Sequence, residues 1–137
     1  MQTSQPQIWQ PTPFTTERKQ GKAPGTVIFR LSGPFTARDM FGTLTPIALH
    51  NILTFQSSPS NQTLEDPPTL NILDLTAVPY MDSTGLGRIV SHLVHCKGKG
   101  IRMIAAGATP RVLELFRMTK VDTVIPLAAT LEEADTQ

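Results

Sequence analysis

Apolar and polar positions change period several times along this chain, and each change marks an element. From Thr26 to Ser32, the residues Val27, Phe29 and Leu31 alternate with Ile28, Arg30 and Ser32, the two-residue period of a strand. The run stops at Gly33-Pro34, a pair that cannot extend a ladder. Residues 70–75 are a short, mostly apolar run followed by turn chemistry, which predicts an inner strand. From Leu86 the period becomes helical. Leu86, Ile89, Val90, Leu93 and Val94 fall on one stripe, and Gly98 and Gly100 end it. Ile101 to Ala106 predicts the next strand. Thr109 then stands as a cap with Pro110 at the first helical position of a short helix, whose apolar side is Val112, Leu115 and Phe116. Val124-Ile125 reads as a last short strand, and Thr130 with Glu133 as a capping box for a terminal helix.

The remaining segments are less periodic. Residues 14–19 predict an edge strand, joined to Thr26 by the turn residues between Gly21 and Gly25. Thr36 caps a predicted helix to about Leu53, which Pro46 kinks or interrupts. Residues 54–69 are polar and proline-bearing and read as a mobile loop, and residues 1–13, with Pro6, Pro11 and Pro13, as a flexible arm. The order is then β-β-α-β-α-β-α-β-α. Strands alternating with helices predict an α/β fold with a mixed central sheet of four to five strands, some of them parallel, in a single domain over 14–137.

Charge and composition narrow the function. The chain has 137 residues and a formal net charge of +1, from 12 basic and 11 acidic side chains. No basic run stands out, so nucleic acid is not an expected partner. The first residues carry neither the charged nor the apolar region of a signal peptide, and no apolar run reaches membrane-spanning length. A lone cysteine, Cys96, cannot close an internal disulfide. These features predict a soluble cytoplasmic protein with no membrane partner.

Candidate chemistry concentrates between Asp74 and Lys97, where strand, tight turn and amphipathic helix follow one another. Asp82 precedes the helical stripe, in position to cap its first N–H groups. Ser83 then lies at the positive end of a helix dipole, beside unpaired backbone donors. A nucleophilic serine needs a base and an oxyanion hole, and the flanking residues are not G-x-S-x-G. The histidines are His50, His92 and His95; the last two lie well down the helix from Ser83 and read as solvated. His92 and His95 have no third ligand near them in sequence, and no phosphate loop of the form G-x-x-x-x-G-K-[ST] is present. Neither hydrolase, metalloprotein nor nucleotide hydrolase is expected.

The stretch D-L-T-x-V-x-x-M-D-S-T-G-L-G, residues 74–87, resembles the signature of STAS domains, in particular the bacterial anti-sigma factor antagonists (anti-anti-sigma factors). The resemblance continues through Ala105 and Thr109-Pro110-Arg111-Val112-Leu113-Glu114-Leu115-Phe116, and covers most of residues 26–135. It implies a STAS-type fold and a binding protein without catalytic residues, cofactor or metal. It also implies that Ser83 is phosphorylated by an anti-sigma factor with serine kinase activity and restored by a PP2C-type phosphatase. The partner face it implies comprises Thr36, Met81, Asp82, Ser83, Thr84 and Gly85. Two features depart from the family: Thr36 stands where an acidic residue is common, and the loop and arm are long. The alternative reading is a non-switching scaffold or an accessory subunit of a transporter or signalling assembly, in which the Asp-Ser-Thr-Gly turn serves the fold.

Overall fold

The computed structural model describes residues 14–38 and 68–136. The expected arm at 1–13, the predicted helix beyond Arg38 with its Pro46 interruption, and residues 54–67 of the predicted loop lie outside the described residues.

Strand β1 (Thr15–Gln20) and strand β2 (Thr26–Ser32) form the antiparallel hairpin expected of their polar turn. Gly25 adopts φ +85°, a conformation that favours glycine, and its carbonyl accepts from the amides of Thr69 and Leu70 at 2.8 and 3.1 Å. That contact sets the parallel register in which Thr26 opposes Leu70. Strands β3 (Leu70–Ala77), β4 (Arg102–Ala106) and β5 (Leu127–Ala128) continue the sheet in parallel, in the order β1-β2-β3-β4-β5. Helix α1 (Ser83–Gly98) joins β3 to β4, α2 (Pro110–Met118) lies between β4 and β5, and α3 (Leu131–Asp135) ends the described chain. The result is the mixed α/β sheet that the pattern predicts.

The pleat divides the apolar residues between two layers. Phe29, Leu31, Leu73 and Leu75 pack with Ile89, Leu93, Val112 and Phe116 in the larger core, beneath α1 and α2. Ile28, Ile72, Ile104 and Ala106 point to the other face, where Ala134 of α3 meets them. Fully burying a side chain such as Ile89 or Phe116 contributes about 1.5–3 kcal/mol, so this first layer is what holds α1 and its N-terminus against the sheet.

Three local expectations need correction. The buried stripe of α1 runs through Gly85, Leu86, Ile89, His92, Leu93 and Cys96, while Val94 is 64% exposed. His92 is therefore buried rather than solvated. Asn71 of β3 donates its Nδ2 to the Val27 carbonyl at 3.1 Å, which turns its Oδ1 toward His92 Nε2 and makes that nitrogen the donor of their hydrogen bond. Cys96 Sγ lies 3.5 Å from the same nitrogen, and burial pushes its thiol up to about 11. Thr109 is the N-cap of α2 by position, yet its hydroxyl makes no cap bond; it donates instead to the Val78 carbonyl at 3.1 Å. Last, the final strand is Leu127–Ala128, not Val124-Ile125. The amides of Val124 and Ile125 both bond back to the Val121 carbonyl at 3.0 Å, in a 3-10 turn over Val121–Thr123, so they cannot enter a ladder. The expected capping pattern at α3 forms in part: Thr130 accepts from the Glu133 amide at 3.1 Å, while Glu133 Oε2 accepts from the amide of Ala129, one residue before the cap, at 3.0 Å.

Candidate functional site

The turn between β3 and α1 is built by two chain segments that run side by side past the carboxyl ends of β2 and β3. The Gly33 amide donates to the Ala77 carbonyl at 2.9 Å, Phe35 N–H to Tyr80 at 3.0 Å and Asp82 N–H to Phe35 at 3.3 Å. Phe35 and Met81 thus form a parallel bridge beyond the regular strands. Phe35 is fully buried and stacks on Phe14 with ring centroids 4.4 Å apart. This floor is rigid because it is pinned by both backbone bonds and ring packing.

Asp82 fastens the two segments together. Its backbone is extended (φ −106°, ψ −173°), as an N-cap requires, and its Oδ1 accepts from the Gly85 amide at 3.0 Å. Its Oδ2 accepts from the Ala37 amide at 3.1 Å. One carboxylate therefore caps α1 and holds the 33–37 segment against it. Asp82→Ala is expected to lower the unfolding free energy by about 1–2 kcal/mol, the upper part of the range for a lost cap, since a second bond goes with it. Urea unfolding followed by circular dichroism measures this; a loss below about 0.5 kcal/mol would make the clamp unimportant.

Ser83 is the first residue of α1 and is exposed, with Thr84 half-buried beside it. Among the described residues no acceptor engages the Ser83 or Thr84 amide, so both remain for solvent or an anion at the positive end of the helix. The other expected partner residues divide. Thr36 is half-buried and neighbours this turn through the Phe35–Met81 bridge. Met81 is 8% exposed and its side chain belongs to the larger core, so it supports the turn from below and offers a partner little surface. Gly85 is also turned inward: a Cβ there would lie 2.1 Å from the Phe35 carbonyl oxygen. Its lack of a side chain serves the approach of the chain's own backbone. Gly87, by contrast, has open space around it.

Two exposed residues on the loops at this end of the sheet, Tyr80 and Arg111, escaped the sequence reading. Tyr80 lies on the loop leading to the turn, and the Arg111 guanidinium sits 4.8 Å from the centre of its ring. Arg111 is the second residue of α2, whose start is braced to the β3 loop by the Thr109 hydroxyl. Nothing local in the sequence pairs positions 80 and 111, so only the packing of two βα loops brings them together.

Comparison with known proteins places this geometry. The family model of the STAS domain matches residues 43–134. The chain belongs to the STAS domain family. The anti-sigma-B factor antagonist of Listeria monocytogenes is 34% identical over 55 residues, which are 40% of this chain and 48% of that protein. The match thus spans about half the length of the curated relative. Among solved structures, an anti-sigma factor antagonist from Mycobacterium paratuberculosis superposes with a TM-score of 0.65 at 25% identity, over 93% of this chain and 97% of that one. The STAS domain of a SulP transporter from Vibrio cholerae superposes with a TM-score of 0.60 at 21% identity, over 80% of this chain and 77% of that one, a likeness of fold alone. The STAS fold thus serves both antagonists and a transporter domain, and the reading of this member's function has to come from the Ser83 turn. Among the described residues no helix is long and apolar enough to cross a membrane.

Proposed function

We propose that this STAS protein is an anti-sigma factor antagonist whose Ser83 turn is the partner face, and that phosphorylation of Ser83 releases the partner. The kinase in this reading is the anti-sigma factor itself, and a PP2C-type phosphatase resets the switch. The observation that supports it most is an exposed serine at the first position of a helix sixteen residues long, on a turn fixed by the Asp82 clamp and the Phe35 floor. A hydroxyl held there is accessible to a kinase, and the helix end tolerates the added charge to the extent of about 0.3–1 kcal/mol, so the fold survives the modification. Within residues 33–38 and 78–88, Asp82 is the one acid, and position 36 is the neutral Thr36. A phosphate adds about −1.5 to −2 charge at pH 7 to that surface, which makes modification the dominant electrostatic event at the turn. Thr36 then bears on which anti-sigma factor is recognised. The chain's part is binding; no residue at the turn carries out catalysis in this scheme.

The test is intact-mass measurement with site mapping of the protein purified from its native cells, growing and stressed. One phosphate on Ser83, changing with condition, is the expected result. Ser83 unmodified under conditions that demonstrably activate the host's stress responses would remove the switch and leave a non-switching scaffold.

A further inference from the structure

The far end of the molecule carries a vacant strand position. Strand β4 runs from Arg102 to Ala106, but β5 opposes only Ala105 and Ala106. In a parallel ladder, main-chain groups alternate in direction along the strand. The amides of Ala105 and Gly107 donate to Pro126 and Ala128 on the β5 side, whereas the Arg102 amide donates to Thr69 on the β3 side. Met103 therefore presents its N–H and C=O toward β5. The chain does not meet them there. Val124 and Ile125 have given their amides to Val121, and Pro126 has no N–H to offer the Met103 carbonyl. Among the described residues outside the strands, none bonds to the Met103 main chain.

A groove of about 440 Å³ lies along this stretch. Leu93, Ile101 and Val124, the last 49% exposed, are among its apolar lining residues. Lys97 and Arg102 also line it, and no acidic residue does. The opposite edge of the sheet is protected differently: β1 carries Glu17, Arg18 and Lys19, the charged pattern that discourages pairing. Within β4 only Arg102, its first residue, is charged.

We propose that this groove docks an extended peptide segment of a partner protein, one that alternates apolar and acidic side chains and adds as a short strand beside β4. An unmet donor and acceptor on one residue match a peptide backbone, which supplies both at strand spacing. The apolar walls take alternate side chains, and the two cations select acidic ones. The slot sits at the amino end of β4, while Ser83 follows the carboxyl end of β3. The sixteen residues of α1 separate the two by about 24 Å. The proposal therefore does not depend on the role of Ser83.

The probe is a phage-displayed library of random octapeptides, panned on the full chain and counter-selected on a full chain carrying Lys97→Glu and Arg102→Glu. Both positions are exposed, so the substitutions remove no core packing, and an unchanged unfolding curve checks that the variant folds. Enriched peptides should alternate apolar residues with Asp or Glu. A synthetic copy should shift the Met103 amide resonance and slow its hydrogen exchange. Its affinity should fall by about tenfold or more in the double variant and in Val124→Glu, and stay unchanged in Ser83→Asp. The proposal is overturned if no groove-dependent peptide is enriched, if the enriched peptides have no acidic bias, or if Met103 exchange is unaffected by binding.

Discussion

Gly85→Val is expected to lower the unfolding free energy by about 3 kcal/mol, the upper end of the usual cost of overpacking. The reason is the identity of the atom it meets. A Cβ at Gly85 would lie 2.1 Å from a backbone oxygen, that of Phe35, and not from a side chain able to turn away. Phe35 cannot retreat either, because its amide is bonded to Tyr80 and its ring is stacked on Phe14. Relief comes only by lifting α1 away from residues 33–37, which breaks the bond from the Ala37 amide to Asp82. Gly87 is the internal control. With nothing within 4 Å of its would-be Cβ, Gly87→Ala is expected to add about 0.5–1 kcal/mol through helix propensity. Urea unfolding of both variants measures the contrast. Equal stability of Gly85→Val and the parent protein would mean that the two segments are not held as closely as the structure shows.

Ser83→Asp is expected to weaken binding to the proposed anti-sigma factor partner by roughly 30-fold to 4,000-fold, while Ser83→Ala binds within a few-fold of the parent. The interval converts about 2–5 kcal/mol, the cost of a mismatched charge in a desolvated interface, at about 1.4 kcal/mol per tenfold. The new carboxylate stands directly after Asp82, whose two oxygens are already committed to the Gly85 and Ala37 amides. Asp82 cannot swing away from a neighbouring anion without uncapping α1. The repulsion is therefore felt at the partner surface and not relaxed within the turn. Stability should change little, since a carboxylate at a helix N-terminus is favourable by about 0.3–1 kcal/mol. Titration calorimetry with both variants, alongside unfolding curves, separates the two effects. Equal affinities of Ser83→Ala and Ser83→Asp for a genuine partner would end the electrostatic account of the switch.

Much of this architecture was legible because its signals are local. Strand β2 spans Thr26–Ser32, as the two-residue alternation requires, and α1 starts directly after Asp82, because a carboxylate in that place satisfies amides that no other group reaches. Pro110 and Thr130 mark helix starts for similarly short-range reasons. The Asp-Ser-Thr-Gly turn was likewise readable as a capped helix start, since cap, hydroxyl and glycine are neighbours in sequence.

What the sequence left open involves partners far away along the chain. His92 read as a solvated helix residue until Asn71, twenty-one positions earlier, supplied a hydrogen bond that makes its burial tolerable. Tyr80 and Arg111 form one surface only because two loops fold against each other. The resemblance placed Gly85 on the partner face; that its missing side chain makes room for the Phe35 carbonyl shows only once two distant segments pair. The Val124-Ile125 strand was lost to a 3-10 turn that takes their amides. Capping, period and turn chemistry act within a few residues and so are written in the sequence by itself. Burial of polar groups and the meeting of backbones depend on which distant segments pack together, and only the tertiary structure settles that.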